Sequence, residues 1–449
     1  MTVLPQNPAA IPADASTATG VSDVEGALVI KKVGRRIMWY LVALYVISVV
    51  DRGNLGFASF SMNRDLGLTP QMYGIGVGVL FLGYALFEVP SNLALARFGA
   101  RLTLTRIALA FGLVTISMAF VAGPASFYTV RGLLGVAEAG LTPGVFLFLS
   151  YWVPQSYRAR FNAVFTYSIP VAYVLASLIS GTIMLLDGTW GVPGWKWLFI
   201  LEGLPAVLLG IVGMFYLTDR PKQATWLTER EREWLDAEIG KDGQSKAGMH
   251  GGGGFVALLR APVLWLMCLA YIGIFCGNAC LAAWLPQIMH ANGVALGSIG
   301  MVSALPPLAG VIGMSLVCAH SDRRNERVLH ATGLCLLASV GYGLVAVSTS
   351  AGMALAGFMI ANVGVYSSLA IFWAIPQTFL APGVKPAAIA FIASCGALFG
   401  GWLAPMAIGR IQGAMHNLAS GLVVVSALFV VSALSVLLVG RLIAAKQRT

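Results

Sequence analysis

Four ionisable residues stand inside apolar stretches where charge is costly. Asp51 and Arg52 are adjacent near the end of the first long apolar run, and Arg131 and Glu138 lie in the fourth. A charge in hydrocarbon costs at least a few kcal/mol, so such residues face a protein interior or a water-filled cavity and are suspects for ion or proton handling. Arg131 and Glu138 are seven apart, which sets them on one helix face, about 10 Å apart along the axis. Two arginines against two carboxylates sum to zero. Protonating one carboxylate leaves a net positive charge that an anion neutralises, so a proton and a carboxylate lower each other's cost of entry. The competing reading is an ion-pair network that only joins two helices, a job that apolar packing does without buried charge.

Other ionisable groups suggest less. Glu88 lies near the end of the second apolar run and Glu202 early in the sixth, positions that read as structural or gating. The five histidines, His250, His290, His320, His330 and His416, fall in loops or at span ends, which leaves the carboxylates as proton carriers. All six cysteines sit in apolar runs and read as small core residues; Cys276 and Cys280 share a helix face but have no nearby His or carboxylate, so no metal is expected. No metal cluster, nucleophile–His pair or cofactor motif is present, so neither an enzyme nor a cofactor is expected. The glycines of the second run, such as Gly74, Gly76 and Gly78, follow no strand, and close helix packing explains them better than phosphate binding.

The elements that must position these charges are membrane helices. Of the 449 residues 58% are hydrophobic and 10% charged, with a mean hydropathy of +0.82. A soluble domain has about a quarter charged residues, so an all-α polytopic membrane protein is expected. Twelve apolar runs are long enough to span, near 37–58, 72–94, 103–122, 125–151, 160–186, 196–217, 261–289, 296–319, 328–348, 352–380, 386–409 and 419–441. They divide into two six-helix bundles, 37–217 and 261–442. A polar linker over 218–260 contains a capping-box pattern, Thr228-Glu229-Arg230-Glu231, ahead of a short amphipathic helix, and a flexible joint at Gly251–Gly254. Residues 1–36 read as a disordered tail without signal-peptide character, and 443–449 as a second tail.

Lysine and arginine set the orientation. Outside the spans only Arg64, Lys196 and Arg410 fall on the side opposite the termini, so both termini are expected in the cytoplasm. The net charge of +10 is therefore topological and does not point to nucleic acid. Depth then relates the charges to one another. Asp51 lies about 20 Å in from the terminal side and Arg131 about 9 Å in from the other. In a core about 30 Å thick these are nearly one level, so Asp51 and Arg131 are expected to meet, with Glu138 nearer the middle.

Several stretches resemble the anion:cation symporter family of the major facilitator superfamily. They are Asp51-Arg52-Gly53-Asn54-Leu55-Gly56-Phe57-Ala58, Gly83-Tyr84 with Phe87-Glu88-Val89-Pro90-Ser91-Asn92, Arg131 to Gly140, and Leu201-Glu202-Gly203-Leu204-Pro205-Ala206. Trp284-Leu285-Pro286-Gln287 and Phe372-Trp373-Ala374 carry the likeness into the second half. It is greatest to bacterial permeases for tartrate, sugar acids, phthalate and hydroxyphenylacetate. The resemblance implies rocker-switch alternating access and proton-driven uptake of organic carboxylates. It implies that Arg52 contacts the substrate carboxylate beside Tyr84, that Asp51 pairs with Arg131, and that Glu138 is the main protonation site. The superfamily's loop signature lacks its acidic residue at Ala94-Leu95-Ala96-Arg97-Phe98-Gly99-Ala100-Arg101 but persists at Ser321-Asp322-Arg323-Arg324, so Arg101, Asp322 and Arg323 read as gating. The fifth span lacks the Gly-Pro pattern of drug antiporters.

In the eleventh span the family often has Asn-Ser-x-Gly-Asn, whereas here it is Ala393-Ser394-Cys395-Gly396-Ala397. Two amides that could bind hydroxyls are replaced, which favours an aromatic or weakly hydroxylated carboxylate over a sugar acid. Alternatively the tenth span answers the substrate's polar groups, through Asn362, Tyr366, Ser367, Ser368, Trp373 and Gln377, with Asn278 opposite in the seventh. The expected binding set is Arg52, Tyr84, Arg131, Asn278, Tyr366, Ser367, Trp373 and Ser394, with Glu138 and Asp51 coupling protons. The expected protein is a monomeric proton symporter for a small organic anion in a bacterial-type inner membrane. Proton-independent exchange or export, a sugar-acid substrate, and a sensor without flux stand as alternatives.

Overall fold

The computed structural model describes residues 23–244, 259–324, 326–376, 380 and 384–446. Twelve helical spans are long and apolar enough to cross a membrane. In the first half, α1 covers Asp23–Asp65, α2 Pro70–Phe98, α3 Ala100–Ser117, α4 Pro124–Glu138, α5 Leu141–Trp152, α6 Gln155–Ile183 and α7 Gly194–Tyr216. The linker carries α8, Glu229–Gln244. In the second half, α9 covers Pro262–Ala291, α10 Leu296–Arg324, α11 Val328–Ala346 and α12 Ala351–Phe372. The eleventh span is composite: α13 (Lys385–Cys395), a π-helical stretch (Gly396–Leu403) and α14 (Ala404–Met415); α15, Val423–Lys446, is the twelfth. Local chemistry fixes several ends. Thr69 Oγ1 accepts from the Met72 amide at 3.2 Å ahead of Pro70, and Ser350 Oγ accepts from the Met353 amide at 3.3 Å.

Three boundaries differ from the sequence expectation. Residues 23–36 are not a disordered tail but the leading turns of α1. Their apolar face (Val29, Ile30, Val33) is buried, Gly26 packs against Trp234 of α8, and Lys32 pairs with Glu231 at 2.7 Å. Glu231 also completes the α8 capping box, accepting from the Thr228 amide at 2.8 Å while Thr228 Oγ1 accepts from the Glu231 amide at 3.3 Å. Slight burial opposes ionisation of Glu231, but Lys32 and Thr228 outweigh it and hold the carboxyl below its usual range. The fourth span is not one helix: it breaks between Glu138 and Leu141, where Gly140 takes φ 84°, a left-handed conformation that favours glycine. The regular helix of the tenth span ends at Phe372 rather than near 380. The Gly251–Gly254 joint, Gln377 and residues 1–22 lie outside the described residues.

The two halves close against each other on the side away from the termini. Tyr73 of α2 donates to the Ala283 carbonyl of α9 at 2.9 Å, and Phe60 packs on His290 with ring centroids 4.6 Å apart. Ser177 of α6 donates to the Ser303 carbonyl of α10 at 3.2 Å. Glycines let the backbones approach here: a Cβ on Gly300 would lie 2.8 Å from the Ser177 oxygen and 3.2 Å from Gly181 Cα. On the terminal side, among the described residues, no ion pair joins the gating residues Arg101, Asp322 and Arg323 to the other half. Asp322 pairs at 2.9 Å with Arg327 of its own half, Arg323 is exposed, and the Arg101 amide donates to Asp219 at the start of the linker at 2.8 Å. The conformation is therefore closed away from the termini.

A side chain forced into that seam must separate α6 from α10. Overpacking typically costs about 1–3 kcal/mol, so Gly300→Val is expected to shift the balance toward the opposite-facing state by about fivefold or more. Maleimide labelling of a cysteine at Ala282, in a background lacking the native cysteines, reads the change; unaltered labelling refutes the seam as the closing contact.

Candidate functional site

α2 and α4 are packed through small residues, and that contact places the central charges. A Cβ on Gly83 would lie 2.5 Å from the Gly132 oxygen, and one on Gly135 would lie 2.9 Å from the Tyr84 nitrogen. Backbone contact this close brings Tyr84 against the face of α4 formed by Phe127, Arg131, Leu134, Gly135 and Glu138, all buried. Glu138 is the last residue of α4, where Ala139 turns to extended backbone before Gly140. Irregular backbone at membrane depth is tolerated where protein buries it or a cavity needs it, so the break is itself a site marker.

Glu138 forms its ion pair with Arg52, not with Arg131. Arg52 Nη2 lies 2.7 Å and Nε 2.8 Å from the same oxygen, Oε2. Glu138 is fully buried and its Oε1 has no partner, whereas the Arg52 side chain keeps 19% of its exposure. The guanidinium also lies 5.4 Å from the Tyr84 ring centroid, a cation–π distance. Tyr45 and Tyr173 are its other aromatic neighbours, and Thr142 at the start of α5 lies beside Tyr45 and Tyr84.

The expected Asp51–Arg131 ion pair is not formed: among the described residues none joins them within 4.0 Å. Asp51 is buried and accepts from Asn54 Nδ2 at 3.0 Å, with Oδ2 left unpartnered. Arg131 is buried and donates from Nε to the Gly76 carbonyl at 3.2 Å, with Nη1 unpartnered. The two are near enough to influence each other's charge, so they are neighbours across a gap. Position along each helix sets the two at one level but carries no rotation about the helix axes, and rotation decides which arginine each carboxylate meets. Glu202, which reads as structural or gating in the sequence, is buried too and accepts from Ser180 Oγ at 2.6 Å.

The second half presents polar groups without charge. Tyr366 and Asn362 of α12 line a narrow cavity between the halves with Gly53, Phe57, Tyr173 and Ser303. Tyr173 and Tyr366 stack across it with centroids 6.3 Å apart. Asn278 Oδ1, Asn362 Oδ1 and Ser367 Oγ are buried without partners, and of the three only Asn362 lines that cavity. Trp373 packs on Tyr271 at 4.7 Å, and Ser394 is half-buried near the end of α13. Tyr45, Tyr173 and Tyr271 were not singled out from the sequence. An aromatic residue inside an apolar run carries no mark that separates a cavity wall from a core.

The chemical consequence follows from Glu138. Ionised, it occupies Arg52 and the pair is neutral. Protonated, it loses most of its attraction for the guanidinium, and Arg52 is left to bind another anion in a fork geometry.

Comparison with known proteins bears on this arrangement. The Major Facilitator Superfamily profile matches residues 41–405. A relative from Agrobacterium vitis, named for tartrate transport, is 42% identical over 94% of this chain and 93% of its own length. A quinolone resistance transporter of Acinetobacter baumannii is 38% identical over 88% of this chain and 91% of its own. Among solved structures, a bacterial homologue of the human lysosomal transporter Spinster, inward-facing and unoccupied, aligns with a TM-score of 0.74 at 17% identity, covering 94% of this chain and 98% of that one.

The break that presents Glu138 depends on Gly140. A Cβ there would lie 2.6 Å from Ser91 Oγ, and a left-handed conformation costs an L residue about 1–2 kcal/mol. Gly140→Ala is expected to lower the thermal unfolding midpoint by several degrees. Adding Ser91→Gly is expected to recover only part of the loss, since it relieves the clash but not the backbone strain. Full recovery in the double variant would remove strain from the account.

Proposed function

The chain belongs to the Major Facilitator Superfamily, and on that premise we propose that it imports a small organic carboxylate by proton symport. The observation that carries the reading is the Arg52–Glu138 pair, in which one cation is shared between a fixed carboxylate and an incoming one. A proton on Glu138 releases Arg52, the substrate carboxylate replaces Glu138 on the guanidinium, and the loaded site is again neutral. The empty ionised site and the fully loaded site both reorient. A site holding only one of the two ligands carries an unbalanced charge and does not. Asp51 and Arg131 shape the field around the pair. The excess of lysine and arginine on the terminal side supports cytoplasmic termini, and on that orientation the conformation described is inward-facing.

The substrate is proposed to be an aromatic or hydroxy acid. Tyr84 beside Arg52 and the Tyr173–Tyr366 stack offer ring faces, while Asn278 and Asn362 hold unpartnered amide oxygens for hydroxyl donors. The relative named for tartrate transport supports a hydroxy acid. A second reading, export, draws on the relative named for quinolone resistance. Quinolones are aromatic carboxylates, so the same cation would serve either direction.

Uptake into proteoliposomes with an inward proton gradient tests the proposal. Glu138→Gln is expected to abolish accumulation against a gradient while exchange of internal for external substrate persists. Accumulation like the wild type's would remove Glu138 from coupling. Collapse by a protonophore separates symport from proton-independent exchange, and accumulation only under an outward-directed drive would favour export. Arg52→Lys replaces a planar fork by a point charge and is expected to weaken substrate binding by about tenfold, measured by ligand-induced thermal stabilisation.

A further inference from the structure

The leading turns of α1 hold a second concentration of charge, far from Arg52. Lys31, Lys32, Arg35 and Arg36, with Leu28, line one side of a cleft of about 520 Å³ whose other wall is Tyr216 at the end of α7 and Trp226 of the linker. The spacing 28, 31, 32, 35, 36 is one helical face, opposite the buried face of Val29, Ile30 and Val33. Like charges therefore stand at i and i+4 twice, an arrangement that destabilises a helix unless something answers it. Acidic residues answer it at one position only: Glu231 pairs with Lys32 at 2.7 Å. Lys31 and Arg35 are exposed and have no acidic partner among the described residues. Arg36 lies 3.9 Å from the Tyr216 ring centroid, with its Nε buried and unpartnered.

The positive-inside rule explains why basic residues lie at this end of the chain, but not why four of them share one face of a walled cleft. Tyr216 is fixed as that wall by two bonds, donating to the Arg36 carbonyl at 2.8 Å and accepting from Trp39 Nε1 at 2.6 Å. Trp39 itself is 45% exposed, as expected of an aromatic ring at the membrane–water interface. Depth agrees. Arg36 precedes Asp51 by fifteen residues, about 22 Å along the helix, which from a mid-membrane Asp51 reaches the headgroup layer.

We propose that this cleft binds the phosphate of an anionic phospholipid headgroup, with Lys31, Arg35 and Arg36 as its cations and Leu28 and Tyr216 against the apolar part of the lipid. The ligand neutralises the stripe and joins the leading turns of α1 to α7 and the linker. Its chemistry and depth separate it from the substrate site at Arg52.

Native mass spectrometry of the intact protein, released from bilayers of mixed phosphatidylglycerol and phosphatidylcholine, tests the assignment. Wild type is expected to retain phosphatidylglycerol selectively, and Lys31→Gln/Arg35→Gln to retain about tenfold less. Arg441→Gln, which removes an exposed charge at the far end of α15, is expected to change nothing. Glu231→Gln keeps the capping box but frees Lys32, and is expected to raise retention, an outcome that loss of folding cannot imitate. Equal retention of the two lipids, or no gain in Glu231→Gln, overturns the proposal. Displacement of the lipid by millimolar inorganic phosphate overturns the lipid as ligand and leaves a site for free phosphate.

Discussion

A guanidinium and a carboxylate enclosed in a low-dielectric interior cannot be treated separately, because the loss of either charge leaves the other uncompensated. Arg52 and Glu138 form such a pair, and much of the surrounding structure serves to hold it. Glu138 is fully buried, so its charge is supportable only while Arg52 contacts it. Arg52 is the partly accessible member, so an anion arriving from solvent meets the cation first. Arg52 and Glu138 are in direct contact, with no intervening residue between the accessible cation and the buried carboxylate.

Holding that pair requires backbones to approach more closely than ordinary side chains allow. Gly83 and Gly135 bring α2 onto α4, and Gly140 lets the fourth span stop and restart just after Glu138. The same device operates between the halves at Gly181 and Gly300, where no charge is involved. Glycine in a lipid-embedded helix costs less than in a soluble one, since the backbone remains hydrogen-bonded and small residues add packing that lipid does not. The halves pack closely on the side away from the termini, along α6 with α10, α1 with α9 and α2 with the eleventh span, and the contacts there include a tyrosine, a serine, a ring stack and glycine seams.

The two halves divide the chemistry unequally. The described central charges all belong to the first half, and the second offers amides, hydroxyls and rings. Charge on one side of the interface therefore faces a neutral polar and aromatic surface on the other.

Composition and hydropathy alone determined that the chain spans a membrane twelve times, because burying about twenty apolar residues per helix leaves a signal independent of tertiary context. The one-face placement of Arg131 and Glu138 was legible for a similar reason, since helical period is local. Tertiary structure decided the rest. The sequence could not show that Arg52 rather than Arg131 meets Glu138, because pairing depends on how each helix is rotated about its axis, and glycine contacts with a neighbouring helix set that rotation. Nor could it show that the fourth span breaks at Gly140. The apolar run continues through the break, and a glycine in a helix-compatible stretch carries no local mark of whether it continues the helix or stops it in a left-handed conformation, as Gly140 does beside Ser91 of α2.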